Sequence, residues 1–115
     1  MISPIEAKEL FINKFNIDDY CRQLDESIKY NISSDSCTSD EVVRGFISEN
    51  IPVPVLKEIA KKYIDAGWNI VYYRFINDEP PMCDFIMAMD RLPAYEVKSY
   101  KVEYNPTHYN ERWDC

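Results

Sequence analysis

The stretch from Leu56 to Ile76 constrains the fold more than any other, because it reads as a helix, a glycine stop and an apolar strand. Apolar residues recur at spacings of three and four from Leu56 to Ile64, which places them on one face of a helix. Gly67 follows where a helix C-terminus favours a residue free to take a positive φ. From Trp68 to Ile76 both alternating faces are apolar, which is typical of a strand inside a sheet. The stretch therefore predicts a helix followed by a buried central strand.

The N-terminal residues predict a first helix. Ser3 can cap it, Pro4 occupies the first helical position, and Glu6 lies three residues after the cap. We expect this helix to run to about residue 15. Its apolar residues should face the core: Leu10, Phe11 and Phe15.

A second helix is predicted after Asn16, which can cap it, with Asp18 and Asp19 in its first turn, where negative charge is favoured. Its apolar stripe is Ile17, Tyr20, Cys21, Leu24 and Ile28. The serine-rich residues 33–40 predict a loop. Residues 41–51 are ambiguous, because Thr38 and Glu41 could form a capping box, whereas Gly45 and several β-branched residues favour a strand. We favour the strand.

Two more strands are predicted in the C-terminal half. Residues from Cys83 to Asp90 alternate as in a strand with one buried face, paired back against the central strand. Residues from Tyr95 to Tyr104 form a third candidate whose alternation slips near Ser99. The fold class that follows is α+β, with N-terminal helices on one face of a small antiparallel meander. We predict a single domain over 1–115: helices in 1–32, a loop in 33–40, a helix and the sheet in 41–104, and an aromatic tail in 105–115.

The net charge of −7 disfavours direct binding to nucleic acid or to an anionic membrane, because phosphate contacts require lysine and arginine. The acidic excess lies in two zones, residues 1–50 (ten acids and five bases) and residues 77–90 (four acids and no base). These zones could face a basic partner, mimic nucleic acid, or be a solvated surface. The acids of the second zone, Asp78, Glu79, Asp84 and Asp90, could also form a metal site. However, Asp84 and Asp90 would lie roughly 20 Å apart along one strand face, so we favour solvent-facing acids.

Motifs for catalysis or cofactor binding are missing. The two glycines, Gly45 and Gly67, lie 22 residues apart, which excludes a glycine-rich phosphate loop. The four cysteines form no C-x-x-C pair and His108 is the single histidine, so no zinc site, cofactor or catalytic residue is predicted. The N-terminus does not resemble a signal peptide, and no apolar run is long enough to span a membrane. We therefore expect reduced thiols and a cytoplasmic location.

The C-terminal region interleaves aromatic and cationic residues. Such sets hold nucleotides by stacking and phosphate contacts, and they are also enriched at protein interfaces. The same rings could instead pack on the sheet and cover its edge. The candidate ligand- or partner-binding residues are Arg74, Arg91, Lys98, Tyr100, Lys101, Tyr104, His108, Tyr109 and Trp113.

Three segments together resemble small bacteriophage-encoded α/β proteins of unassigned role. The segments are Met1-Ile-Ser-Pro-Ile-Glu-Ala-Lys-Glu-Leu10, then Leu24-x-x-x-Ile28, then Tyr63-Ile-Asp-Ala-Gly-Trp-Asn-Ile-Val-Tyr72. The resemblance covers about half the chain and carries no catalytic residues. It implies a viral origin and action in the cytosol of an infected bacterium.

The functional expectation is a non-enzymatic, oligomeric binding protein that sequesters or blocks a host defence component. Its partner would be a host protein or a nucleotide-like small molecule. Two alternatives remain open, an acidic metal-dependent enzyme and a virion or assembly accessory protein.

Overall fold

The computed structural model describes residues 1–34 and 42–106, which form four helices and four strands. In chain order these are α1 (Pro4–Ile12), α2 (Ile17–Ser33), β1 (Val42–Ile47), α3 (Val53–Asp65), β2 (Ile70–Ile76), β3 (Met82–Ala88), α4 (Ala94–Val97) and β4 (Lys101–Tyr104). The strands form one antiparallel sheet, which confirms the α+β class. Their order, β1-β3-β2-β4, differs from the predicted meander, because β1 and β4 flank the central β2–β3 hairpin.

Both predicted N-caps are present. The Ser3 side chain accepts a hydrogen bond of 3.1 Å from the Glu6 amide, and the Asn16 side chain accepts one of 3.1 Å from the Asp19 amide. These bonds satisfy amides that have no partner within the helix. α1 ends at Ile12, three residues earlier than predicted.

The prediction that α1 contributes Leu10 and Phe11 to the core is wrong. Leu10 is 58% exposed and Phe11 is 38% exposed, and α1 has no buried residue. Phe15, beyond the end of α1, does pack against the core. The physical reason is that α2 and α3 already fill this face of the sheet, where they meet β1 and β2.

The main core lies between the sheet and these two helices. The predicted apolar stripe of α2 faces it, with Leu24 fully buried. Gly45 explains how α2 lies so close to β1: a Cβ atom there would be 2.7 Å from Leu24 Cδ1 and 2.8 Å from Ile28 Cγ1. The strand favoured for residues 41–51 is confirmed over Val42–Ile47, whereas the predicted loop lies largely outside the described residues.

Polar side chains of α2 also cover the outer edge of β1. Asn31 Nδ2 donates a hydrogen bond of 2.8 Å to the Arg44 carbonyl, and the Phe46 amide donates one of 3.0 Å to Ser27 Oγ. An edge strand with unpaired backbone groups can pair with other chains. α2 therefore limits strand addition at β1.

The predicted junction between helix and central strand is confirmed. Gly67 has a φ of 122°, a conformation that other residues rarely adopt, and the chain then turns into β2. β2 lies between β3 and β4, with Ile70 and Val71 fully buried. The strand begins at Ile70, two residues later than predicted, and Trp68 packs on the helix side of the sheet.

The prediction that the strand from Cys83 to Asp90 buries only one face is wrong, because β3 is buried on both faces. Phe85 and Met87 lie in the main core, whereas Ile86 joins Ile70 and Tyr72 in a second cluster on the opposite face. A strand flanked by neighbours on both sides and covered on both faces has no exposed row of side chains.

The predicted strand over residues 95–104 is only partly correct. Its first half is the short helix α4, in which Tyr95 is 79% exposed, and only Lys101–Tyr104 form a strand. Leu92, Val97 and Tyr100 pack on the second cluster, so this segment covers the sheet face opposite the helices. Among the described residues, no helix combines the length and apolarity needed to cross a membrane.

Candidate functional site

A cluster of polar and aromatic side chains lies on the sheet face opposite the main helices. Arg74 alternates with Tyr73 and Phe75, which face the main core, so its side chain points to the other face. Asp84 is the residue directly opposite Arg74 on β3. The turn between α4 and β4 then brings Tyr100 over both.

Arg74 makes three contacts in this cluster. Its guanidinium carbon lies 4.4 Å from the centre of the Tyr100 ring, Nη2 lies 3.3 Å from Asp84 Oδ2, and Nη1 donates a hydrogen bond of 3.1 Å to Ser99 Oγ. The Tyr100 hydroxyl donates to the same carboxylate of Asp84. The Tyr72 ring also packs against the Tyr100 ring, in a T-shaped contact with ring centroids 6.5 Å apart. The rings and charges here are therefore engaged with one another.

Two arginines on this side of the sheet, Arg74 of the cluster and Arg44 of β1, each have an unused donor. Arg74 Nε and Arg44 Nε are buried, and neither has a hydrogen-bond partner within the described part of the chain. A buried donor without a partner costs free energy. Each of these two guanidinium groups therefore carries one donor that the described residues leave unsatisfied.

The pKa of Tyr100 is raised to about 12, first by burial and then by the hydrogen bond to Asp84 and its negative charge. The positive charges of Arg74 and Arg44 oppose this rise. At neutral pH the hydroxyl is thus a hydrogen-bond donor and not a base. Tyr100 holds the carboxylate in place.

Stability is expected to fall at alkaline pH. Burial and the charge of Glu103 also raise the pKa of Tyr73 to about 12, so both tyrosines stay protonated in the folded state at pH values where the unfolded chain loses these protons. Their contribution is complete below pH ~10 and lost as the pH rises towards 12. Each should steepen the loss by about 1.4 kcal/mol per pH unit.

Urea unfolding from pH 9 to 12 should therefore show that the free energy of unfolding falls less steeply with pH for Tyr100→Phe than for the wild type. Tyr95→Phe, an exposed control, should match the wild type; equal slopes in both variants would contradict this account.

A groove adjoins this cluster where the pairing of β4 ends. β4 pairs with β2 only as far as the Tyr73–Lys101 pair, while β2 continues to Ile76. The groove has a volume of about 200 Å³. One part of its lining is apolar or aromatic and the other is polar or cationic: Val53, Leu56, Tyr73 and Phe75, then Arg74, Ser99 and Lys101. No acid is among these lining residues, although the chain carries a net charge of −7.

The structure divides the predicted binding residues into separate regions. Arg74 and Lys101 line the groove, and Tyr100 contacts Arg74 in the adjoining cluster. The exposed Lys98 is the C-cap residue of α4, nearby in sequence. Tyr104 pairs with Ile70 at the other end of β2, and Arg91 follows the end of β3 at that same end. Ile70 and Arg74 are four residues apart, or about 13 Å along a strand. His108, Tyr109 and Trp113 lie outside the described residues.

Sequence reasoning missed several members of the site. Asp84 was expected to face solvent, but its side chain is only 23% exposed and bound to Arg74 and Tyr100. The cross-strand position of a lone arginine and a lone acid in two apolar strands is the signal that could have paired them. Val53 and Leu56 could not be placed at the groove from sequence, because they come from a separate helix.

A second cleft lies between α2 and α3. It has a volume of about 260 Å³ and is lined by Asp18, Cys21, Asp25, Lys62, Tyr63 and Ala66. The Tyr63 hydroxyl lies 2.6 Å from Asp25 Oδ1 and 3.1 Å from the Cys21 carbonyl, so it joins the two helices. Burial raises the pKa of Tyr63 and that of the Cys21 thiol, which disfavours a reactive thiolate here.

The described residues offer no arrangement that supports the alternative of an acidic metal site. Within residues 1–34 and 42–106, no group of three or more His, Cys, Asp or Glu side chains is placed to hold a metal ion. Comparison of this chain with protein-family models, with curated proteins and with solved structures found no match.

Proposed function

We propose that this chain is a non-enzymatic binding protein that takes up a small anion with an apolar body, a nucleotide-like ligand, in the groove beside β2. The observation that supports this is the pairing of two cations with an apolar wall in one groove. A phosphate would lie against Arg74, Ser99 and Lys101, and the base would rest on the opposite side of the groove. Ligand sites generally combine an apolar lining with a few polar groups that fix orientation.

The electrostatics of the groove support an anionic ligand. Lys101 is exposed at its rim, whereas Arg74 is half-buried and held by Ser99 and Asp84. A guanidinium held in place loses less side-chain freedom when it binds an anion.

The size of the groove restricts the ligand. A volume of about 200 Å³ is smaller than the ~300–1,000 Å³ usual for drug-sized ligands. We therefore expect it to hold one phosphate and part of one base, with the rest of a larger nucleotide outside. Tyr100 does not serve as the stacking surface in this proposal, because Arg74 already covers one side of its ring.

A non-enzymatic role is supported by the state of the reactive groups. Burial raises the pKa of the Cys21 and Cys83 thiols, and the Tyr100 hydroxyl stays neutral. None of the three is a ready nucleophile or base at neutral pH. A bound ligand would then leave only by dissociation, which is how a sequestering protein lowers the free concentration of a signal.

The biological setting is also a proposal. On the resemblance to small bacteriophage proteins, we propose that the ligand is a nucleotide signal of host defence and that the protein acts in the cytosol of an infected bacterium. Oligomers would multiply the number of ligands held by one particle.

The test compares ligands that differ by a phosphate. AMP, ADP-ribose and cyclic dinucleotides should raise the melting temperature by mass action, whereas adenosine should raise it less. Lys101→Glu should weaken binding about 10- to 100-fold, since a charge-assisted hydrogen bond contributes about 1.5–3 kcal/mol. A thermal-shift assay measures the first effect and isothermal titration calorimetry measures the second.

Lys98→Glu is the matched control, because Lys98 is an exposed lysine of the same segment that does not line the groove. It makes the same change in net charge and should leave affinity within about twofold. Equal losses in the two variants would show a general charge effect and no groove. The absence of a shift with every phosphate-bearing ligand would reject the proposal.

A further inference from the structure

The outer edge of β1 fixes the direction in which the backbone groups of that strand point. In an antiparallel sheet, the N–H and C=O of successive residues point alternately to the two sides of the strand. The Arg44 carbonyl and the Phe46 amide bond to side chains of α2, so the even-numbered residues of β1 point away from β3. The odd-numbered residues of β1 therefore bond to β3, where their partners are also odd-numbered.

The same alternation continues across the sheet to β2. The even-numbered residues of β3 bond to the even-numbered residues of β2, which lie opposite them. The odd-numbered residues of β2, Tyr73 and Phe75 among them, therefore direct their backbone groups towards β4. A separate bond agrees with this assignment, because the Asn105 amide donates a hydrogen bond of 2.8 Å to the Asn69 carbonyl on the β4 side.

The backbone groups of Phe75 have no strand partner on that side. β4 begins at Lys101, opposite Tyr73, and the residue opposite Phe75 would be Ser99, which lies in the turn before β4. Within residues 1–34 and 42–106, no backbone hydrogen bond joins Phe75 to this turn. The groove therefore contains one N–H donor and one C=O acceptor side by side, where β4 would continue. Such groups bond to water or to a ligand.

The surroundings of Phe75 suit the edge of a flat ring. Val53 and Leu56 of α3 line the groove on the helix side of the sheet. A planar base that continues the sheet beyond β4 would turn its edge to the Phe75 backbone and one face to this apolar wall. Its phosphate would stay against Arg74 and Lys101, as proposed above.

We propose that the backbone amide and carbonyl of Phe75 recognise the base of the ligand. They select a base that carries an amino donor beside a ring-nitrogen acceptor, as adenine does with N6 and N7. The Phe75 amide donates to the ring nitrogen, and the Phe75 carbonyl accepts from the amino group. This inference rests on the proposed nucleotide ligand and adds which part of its base the groove distinguishes.

Two nucleotides that differ only in the amino group test this selection. AMP should bind about tenfold more tightly than purine riboside monophosphate, which has hydrogen in place of the N6 amino group and so leaves the carbonyl without a partner. Isothermal titration calorimetry measures both affinities. Equal affinities would overturn recognition by Phe75 and leave the anion-binding groove standing, whereas no binding of either nucleotide would overturn both.

Nuclear magnetic resonance locates the contact, with Tyr73 as the matched control because its amide is already paired with Lys101. In the free protein, the Phe75 amide should exchange with solvent at least about tenfold faster than the Tyr73 amide. On addition of AMP, the Phe75 amide proton signal should move downfield and the Tyr73 signal should move much less. Ribose phosphate, which has no base, should leave the Phe75 signal in place. Slower exchange at Phe75 than at Tyr73, or AMP binding without a shift at Phe75, would contradict the proposal.

Discussion

Phe85→Ala is expected to lower the free energy of unfolding by about 3–5 kcal/mol, the largest loss for any single substitution considered for this chain. Phe85 is fully buried in β3, at the centre of the sheet, and its ring stacks near that of Tyr73 with centroids 6.4 Å apart. Removing the ring loses the free energy of burying it. It also leaves a cavity, which cannot close because β3 is paired with β1 on one side and β2 on the other. Domains of this size have a total stability of about 5–15 kcal/mol, so the variant should be close to unfolding.

Phe46→Ala is the matched control, since it removes the same side chain from the neighbouring strand β1. Phe46 is 43% exposed, and its loss should cost about 1 kcal/mol or less. Guanidinium titration of both variants should show a large shift in midpoint only for Phe85→Ala, with little change in slope. Similar shifts in both would mean that β3 is not the buried centre of the sheet.

Gly45→Val is expected to destabilise the fold by about 1–3 kcal/mol, the cost of forcing extra atoms into a packed core. Strand propensity alone predicts the opposite sign, because valine favours strands and glycine disfavours them. The packing decides: even a Cβ atom would lie 2.7 Å from Leu24 Cδ1 and 3.3 Å from the Leu24 carbonyl oxygen. α2 would have to move away from β1 to accept the side chain.

A double-mutant cycle separates this steric effect from the propensity of the strand. Leu24→Ala removes the nearest atom, so Gly45→Val should cost less in that background than in the wild type, with a coupling of about 0.5–3 kcal/mol. Phe46→Val changes an exposed position of the same strand and should alter stability by about 0.5 kcal/mol or less. Thermal and urea unfolding measure each corner of the cycle. Additive effects would mean that the two residues do not meet.

The candidate site shows where sequence reasoning ends. Arg74, Tyr100 and Lys101 were identified from residue type alone, and they do lie together. Their partners were not predicted, because Asp84 reaches Arg74 through strand register and Val53 through the packing of a distant helix. The sequence also did not predict that the Arg74 guanidinium would cover one side of the Tyr100 ring, which was a candidate for stacking on a ligand.

The sequence by itself determined the local elements. Ser3 and Asn16 mark helix starts, Gly67 marks the turn into β2, and unbroken apolar runs mark buried strands, because these signals depend on backbone geometry and spacing within a few residues. Tertiary structure alone decided the strand order, the burial of both faces of β3 and the exposure of α1. Each of these depends on which distant segments pack on a given surface: α2 and α3 cover this face of the sheet, so α1 has no place in the core.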